Sequence, residues 1–169
     1  EFIGLKETEQ IGRIVVHPRD PSTVYIAALG HAWGPNKERG LYKSTDGGKT
    51  WANATASIFK DRGAGDFVID PTNSDIVIAS LYKHYRRAWT YDDRAAGNGI
   101  FKSTDGGKTW KRLASELPAA TVPLGKIGLD IFAKNPKIVY ARVDEEVNLG
   151  FPERDGVANF TVPAAPGAG

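Results

Sequence analysis

The chain has 169 residues, of which 41% are hydrophobic and 25% charged, with a formal net charge of +2. That length buries a real core in one or two domains, and the composition excludes disordered, collagenous and coiled-coil classes. With no cysteine there is no disulfide framework, zinc-thiolate site or cysteine nucleophile, and the near-balanced charge excludes nucleic acid as the default partner. Nineteen glycines and ten prolines suit short strands and tight turns. Methionine is absent, position 1 included, which predicts a processed or excised piece. Glu1-Phe2 is either native sequence or a cloning remnant. The longest apolar stretches, such as 24–29, fall far short of the roughly 18 residues of a membrane helix, and no basic-then-apolar signal peptide is present. No membrane partner is expected of this chain.

In chain order, Phe2 to Leu5 reads as a strand. Ile14-Val15-Val16 precedes a turn at Pro18, and Val24 to Leu29 follows it. A third strand starts at Gly40-Leu41-Tyr42 and ends at Ser44, inside the box Lys43-Ser44-Thr45-Asp46-Gly47-Gly48-Lys49-Thr50-Trp51, and a fourth starts at Trp51. The pattern then restarts: Phe67-Val68-Ile69 before Pro71, Ile76 to Leu81 after it, and Gly99-Ile100-Phe101 leading into Lys102 to Trp110, which repeats the box letter for letter. The offset is 53 at the Pro turns and 59 at the boxes, because the loop 83–98 is six residues longer than its counterpart 30–39. A shorter echo follows at Ile127 to Phe132 and Asn135 to Tyr140. After Val143 the pattern fades. Gly156 to Val162 reads as one more strand without a box, and Pro163 to Gly169 as a flexible tail. No segment holds a helical period.

Four-stranded units repeating every 53 to 59 residues predict all-β propeller blades, since one blade cannot bury both faces and must stack on neighbours. The expected division is the last strand of a preceding blade (1–10), two blades with boxes (11–63 and 64–125), a partial blade (126–162) and the tail (163–169). Such a piece leaves blade faces and strand edges uncovered, which predicts self-association. One arrangement is a homodimer closing a six-bladed ring, with Phe2 to Leu5 of each chain completing the partial blade that begins at Lys126 of the other.

The box explains itself locally. Ser44 and Asp46 can satisfy turn amides, Gly47-Gly48 permit positive φ, and Trp51 carries enough apolar surface to pin the hairpin to its blade. The pattern Ser44, Asp46, Gly48, Thr50, Trp51, repeated as Ser103, Asp105, Gly107, Thr109, Trp110, resembles the Asp-box of the BNR-repeat and sortilin-like propeller family. Segments 11–15 and 30–40 also resemble that family, in particular its large secreted, glycosyl-hydrolase-like bacterial members. The resemblance covers about residues 3 to 143 and implies a propeller, a secreted or extracytoplasmic parent protein, and a structural role for Asp46 and Asp105 rather than catalysis or calcium binding.

Loops joining the second strand to the third, and one blade to the next, gather on one face of a propeller. Here these are 30–39, 83–98 and 144–155, with 60–64 and 115–124 beside them. A rigid scaffold commonly carries binding function on such loops. Trp33, Tyr85, Trp89 and Tyr91 offer flat apolar faces to sugar rings, and His84, Arg86 and Arg87 offer donors to hydroxyls or a carboxylate. The competing reading is that these aromatics pack the loop and its charges are solvated. His31 and His84 lack the paired spacing of metal ligands, so neither a metal nor a cofactor is expected. A glycosidase needs two carboxyl groups at a defined separation, for which Asp61, Asp92, Asp93, Glu145 and Glu146 are the candidates. Gly12-Arg13-Ile14-Val15 lacks the proline and preceding aromatic of a sialidase motif. A xyloglucanase-like site, drawing aspartates from distant parts of a longer double propeller, fits in this chain at most in part. Sequons stand at Asn53 and Asn159. The leading expectation is a carbohydrate- or protein-binding segment of a larger secreted protein; the alternatives are a glycoside hydrolase and a scaffold without ligand.

Overall fold

The computed structural model describes residues 3–92, 94–114, 117–145 and 156–161. Two four-stranded antiparallel sheets and one three-stranded sheet follow one another along the chain. The first, blade 1, has the order β1 (Ile11–Val16), β2 (Val24–Ala28), β3 (Gly40–Ser44), β4 (Ala52–Asn53). Blade 2 runs β5 (Gly63–Ile69), β6 (Val77–Tyr82), β9 (Gly99–Ser103), β10 (Lys111–Arg112), with the hairpin β7 (Tyr85–Arg87) and β8 (Thr90–Asp92) inserted between its second and third strands. The third sheet is β11 (Leu124–Ile131), β12 (Ile138–Glu145), β13 (Gly156–Thr161). This is an incomplete all-β propeller, and no helix occurs among the described residues. The strand expected at 156–162 is present as β13, paired with β12 from Ile138↔Thr161 to Val143↔Gly156.

The core lies between sheets rather than within one. Successive strand residues face opposite sides, so Phe67, Val77, Ala79, Leu81 and Phe101 of blade 2 turn to Tyr25, Ala27 and Leu41 of blade 1. Val68, Ile78 and Ile100 turn the other way, to Ile127, Leu129, Val139, Ala141 and Val143 of the third sheet. Strand β6 is buried throughout because both of its faces are covered, whereas β1 alternates between exposed and half-buried. The innermost strands are also linked by charge. Arg13 Nε lies 3.0 Å from Asp66 Oδ1, and Asp66 Oδ2 accepts from the Leu129 amide at 2.8 Å.

Two expectations need correction. Ile3 to Leu5 do not form the leading strand: Gly4 and Leu5 turn the chain with φ of +107° and +54°, which lays the Ile3 carbonyl on Trp51 Nε1 at 2.8 Å. The segment 83–98 is not all loop either, since β-prone residues on both sides of a two-residue turn form the β7–β8 ribbon, with Arg87 paired to Thr90.

Candidate functional site

Each box sits at the C-terminal end of a third strand and closes on itself. Ser44 Oγ donates to Asp46 Oδ1 (2.7 Å) and accepts from the Gly48 amide (2.8 Å), while Asp46 takes the Thr50 amide (2.9 Å) and hydroxyl (2.6 Å). Ser103, Asp105, Gly107 and Thr109 repeat the pattern. Hydrogen bonds from Thr50 and Thr109, the Thr amides and the Ser hydroxyls hold both aspartates well below the usual carboxylate range. Trp110 Nε1 donates to Ala54 O (2.8 Å), stapling the second box to the outer edge of blade 1. Both oxygens of each carboxylate are thus engaged by groups of its own turn.

The opposite ends of the same strands carry the candidate site. The loop 29–39 is built around Arg39, whose guanidinium is buried and donates to the carbonyls of Leu29 (3.0 Å), His31 (2.9 Å), Gly34 (2.8 Å) and His84 (2.5 Å). Gly30, at φ +88°, is required for this cradle, because a Cβ there would stand 2.5 Å from Arg39 Cγ. The bond to His84 ties the loop to blade 2. From there the Arg86 amide donates to Ala32 O, and Trp33 and Arg86 form a parallel bridge. Two loops from adjacent blades thus form one surface.

On blade 2 the place of Arg39 is taken by Asn98, also buried and also one residue before the glycine that opens the third strand. Its side chain accepts from the Lys83 amide (3.1 Å) and from Arg62 Nε (3.3 Å), and donates to Leu124 O (2.5 Å). Arg62 also donates to Ala96 O (2.9 Å) and lies 4.4 Å over the Phe59 ring. None of Arg39, Asn98 and Arg62 was singled out from sequence. The available signal for the first two was their shared place immediately before Gly40 and Gly99.

Of the expected ligand contacts, Trp33 is 64% exposed and Trp89, at the tip of the hairpin, 79%. Arg86 and Arg87 are exposed beside them. His84 departs from expectation. It is buried, its ring tilted 55° against that of Tyr82 with the centroids 5.5 Å apart, and burial together with the nearby Arg39, Arg86 and Lys126 charges lowers its pKa. It is a neutral wall of the loop rather than a cationic donor. Tyr85, Tyr91 and Asp92 lie on the hairpin strands and Glu145 ends β12; the orientations of their side chains, and Asp93 and Glu146 altogether, lie outside the described residues. Asp61 is exposed, with its carboxylate held by Arg62 Nη1 at 2.5 Å. Among the described residues no group of three or more His, Asp or Glu converges as a metal site. The sequon residue Asn53 has its amide committed to Arg39 O at 2.7 Å.

A xyloglucanase of Hypocrea jecorina is 34% identical over 115 residues, which is 62% of this chain and 12% of that protein. Xyloglucanase Xgh74A of Acetivibrio thermocellus is 34% identical over 111 residues, 60% of this chain and 11% of its own length. The chain therefore spans about an eighth of the length of the curated relatives it matches. A GH74 enzyme of Niastella koreensis superposes with a TM-score of 0.59 at 20% identity, covering 88% of this chain and 19% of that one, a likeness of fold. The family model described as Sortilin, neurotensin receptor 3 (Sortilin-Vps10) matches residues 2–148, a span that takes in both boxes, both loops and the first two strands of the third sheet. On that match, and with the two boxes built alike, the chain belongs to the Sortilin-Vps10 family.

Proposed function

We propose that the chain is a glycan-binding segment of a secreted, glycoside-hydrolase-type propeller, and that the loop 29–39 with the β7–β8 hairpin is its sugar-binding surface. The observation that supports this is the pair of exposed indoles, Trp33 and Trp89, on loops of adjacent blades joined by the Trp33–Arg86 bridge. Indole faces stack on the apolar faces of pyranose rings, and the guanidinium groups of Arg86 and Arg87 beside them donate to ring hydroxyls. A β-glucan backbone of the xyloglucan type is the ligand to test first, because the relatives are named xyloglucanases. The reading expects titration calorimetry with xyloglucan oligosaccharides to show binding that Trp33→Ala and Trp89→Ala each weaken about tenfold. Binding of the wild type to no polysaccharide would sink it and leave a protein ligand or a scaffold.

The same relatives favour a second reading, in which the chain contributes to hydrolysis. Asp92, Asp93, Glu145 and Glu146 are then its carboxylates, Asp61 being taken up by Arg62. Release of reducing ends from xyloglucan, lost in Asp92→Asn and Asp93→Asn, would make the chain a hydrolase.

A further inference from the structure

Backbone contacts fix an indole beside a guanidinium. The Arg86 amide donates to Ala32 O, and Trp33 and Arg86 pair as a parallel bridge. Residues paired in this way project to the same side of their ribbon, whereas the next residue along a strand projects to the other. Trp33 and Arg86, both exposed, therefore stand side by side, and Arg87 belongs to the opposite side of β7. The base under the pair is firm, because Arg39 holds carbonyls of the Trp33 loop and, through His84, of the chain that leads into β7.

More positive charge gathers around this pair. The His84 pKa is lowered by burial and then by the charges of Arg39, Arg86 and Lys126, so cations from all three sheets act at one place. Lys126, on β11, is exposed. Within residues 83–94 four cationic side chains, Lys83, Arg86, Arg87 and Arg94, stand against two aspartates, Asp92 and Asp93. Asp61, on the loop beside them, has its carboxylate on Arg62. A neutral glucan makes no use of this excess, since its hydroxyls need no charged donor, whereas an anion in the same place is attracted by every one of these cations.

We propose, on the reading of this surface as glycan-binding, that the sugar it selects is a uronic acid, its pyranose ring lying on Trp33 and its carboxylate taken by Arg86. A hexuronate carries its carboxylate at the edge of the ring, so a ring stacked on an indole presents that group to whatever stands beside the indole. Here that neighbour is a guanidinium, whose planar fork matches the two carboxylate oxygens and whose charge-assisted bonds are roughly twice as strong as those between neutral groups. Lys126 adds attraction at longer range without fixing orientation.

Titration calorimetry with two oligosaccharides of equal length tests this. One is a cello-oligosaccharide and the other its β-1,4-glucuronan counterpart, which differs only in carrying a carboxylate in place of the hydroxymethyl at C6. The wild type is expected to bind the glucuronan about tenfold more tightly at low salt. Arg86→Gln, at an exposed position whose backbone amide keeps its bond to Ala32, is expected to bring the two affinities together with an unchanged urea midpoint, and Arg87→Gln to keep them apart. Equal affinity of the wild type for both sugars overturns the carboxylate assignment and leaves a surface for neutral glycans. A gap that survives Arg86→Gln, or that Arg87→Gln closes as far, overturns the Trp33–Arg86 pair in favour of a diffuse positive field. No affinity for either sugar overturns the proposal, and the xyloglucan titration then decides whether the glycan-binding reading falls with it.

Discussion

At one end of β3 and β9 stands a box hairpin, and at the other a loop; the two ends have been treated very differently. The boxes agree in nine consecutive residues and in their bonding, with Thr hydroxyl to Asp distances of 2.6 and 2.5 Å. The loops differ in length, in the residue that anchors them, Arg39 or Asn98, and in the added β7–β8 hairpin. Repetition marks what every blade needs in order to stack, whereas divergence marks what the blade presents to solvent. Box and loop chemistry should therefore separate cleanly under substitution.

Arg39→Ala is expected to break the loop end most severely. It strips donors from four carbonyls and empties a buried volume that joins two blades, for a loss of about 3 to 5 kcal/mol. A lower urea midpoint together with loss of xyloglucan binding is the expected pair of results. Retained binding would show that the Trp33 loop holds its shape without this anchor. At the box end, Ser44→Ala and Ser103→Ala each leave a buried glycine amide without its acceptor, and should cost about 1 to 2 kcal/mol in the same unfolding experiment. Their glycan affinity should be that of the wild type. Trp89→Ala is the inverse case, since an exposed indole at a hairpin tip holds little of the fold, so its urea midpoint should stay put while affinity falls about tenfold.

How much of this was legible in the sequence follows the same division. The all-β fold of four-stranded sheets, the third-strand ends at Ser44 and Ser103 and the late strand β13 could be read because β-branched alternation, Pro turns and an exact repeat are local signals. The closed bonding of the box aspartates could be read because all of their hydrogen-bond partners lie within four residues. Arg39 was not legible, since its role depends on carbonyls of Leu29 and His84, and the latter arrives from another blade. His84 read as an exposed donor because sequence proximity to Arg86 and Arg87 says nothing of the burial that Tyr82 and Arg39 impose. The turn at Gly4 and Leu5 was missed for a related reason: it serves Trp51, which lies 48 residues from Ile3.

Acid should separate the two ends by the pH at which each fails. The pKa of His84 is lowered in the folded chain, chiefly by burial and then by Arg39, Arg86 and Lys126, so the unfolded chain binds the extra proton first. The stability from holding this imidazole neutral is full above the unfolded value of about 6.5 and is lost as pH falls through it toward the lower folded value. Asp46 and Asp105 are also lowered, but from 3.8, so their contribution persists until the solution is far more acidic. The urea midpoint should therefore decline between about pH 7 and pH 5 in the wild type, and stay nearly level over that range in His84→Gln. An equal decline in both would place the titrating group elsewhere. A level wild type would mean that the two loops hold His84 too loosely to exclude its proton, and that the surface joining the blades is softer than the boxes behind it.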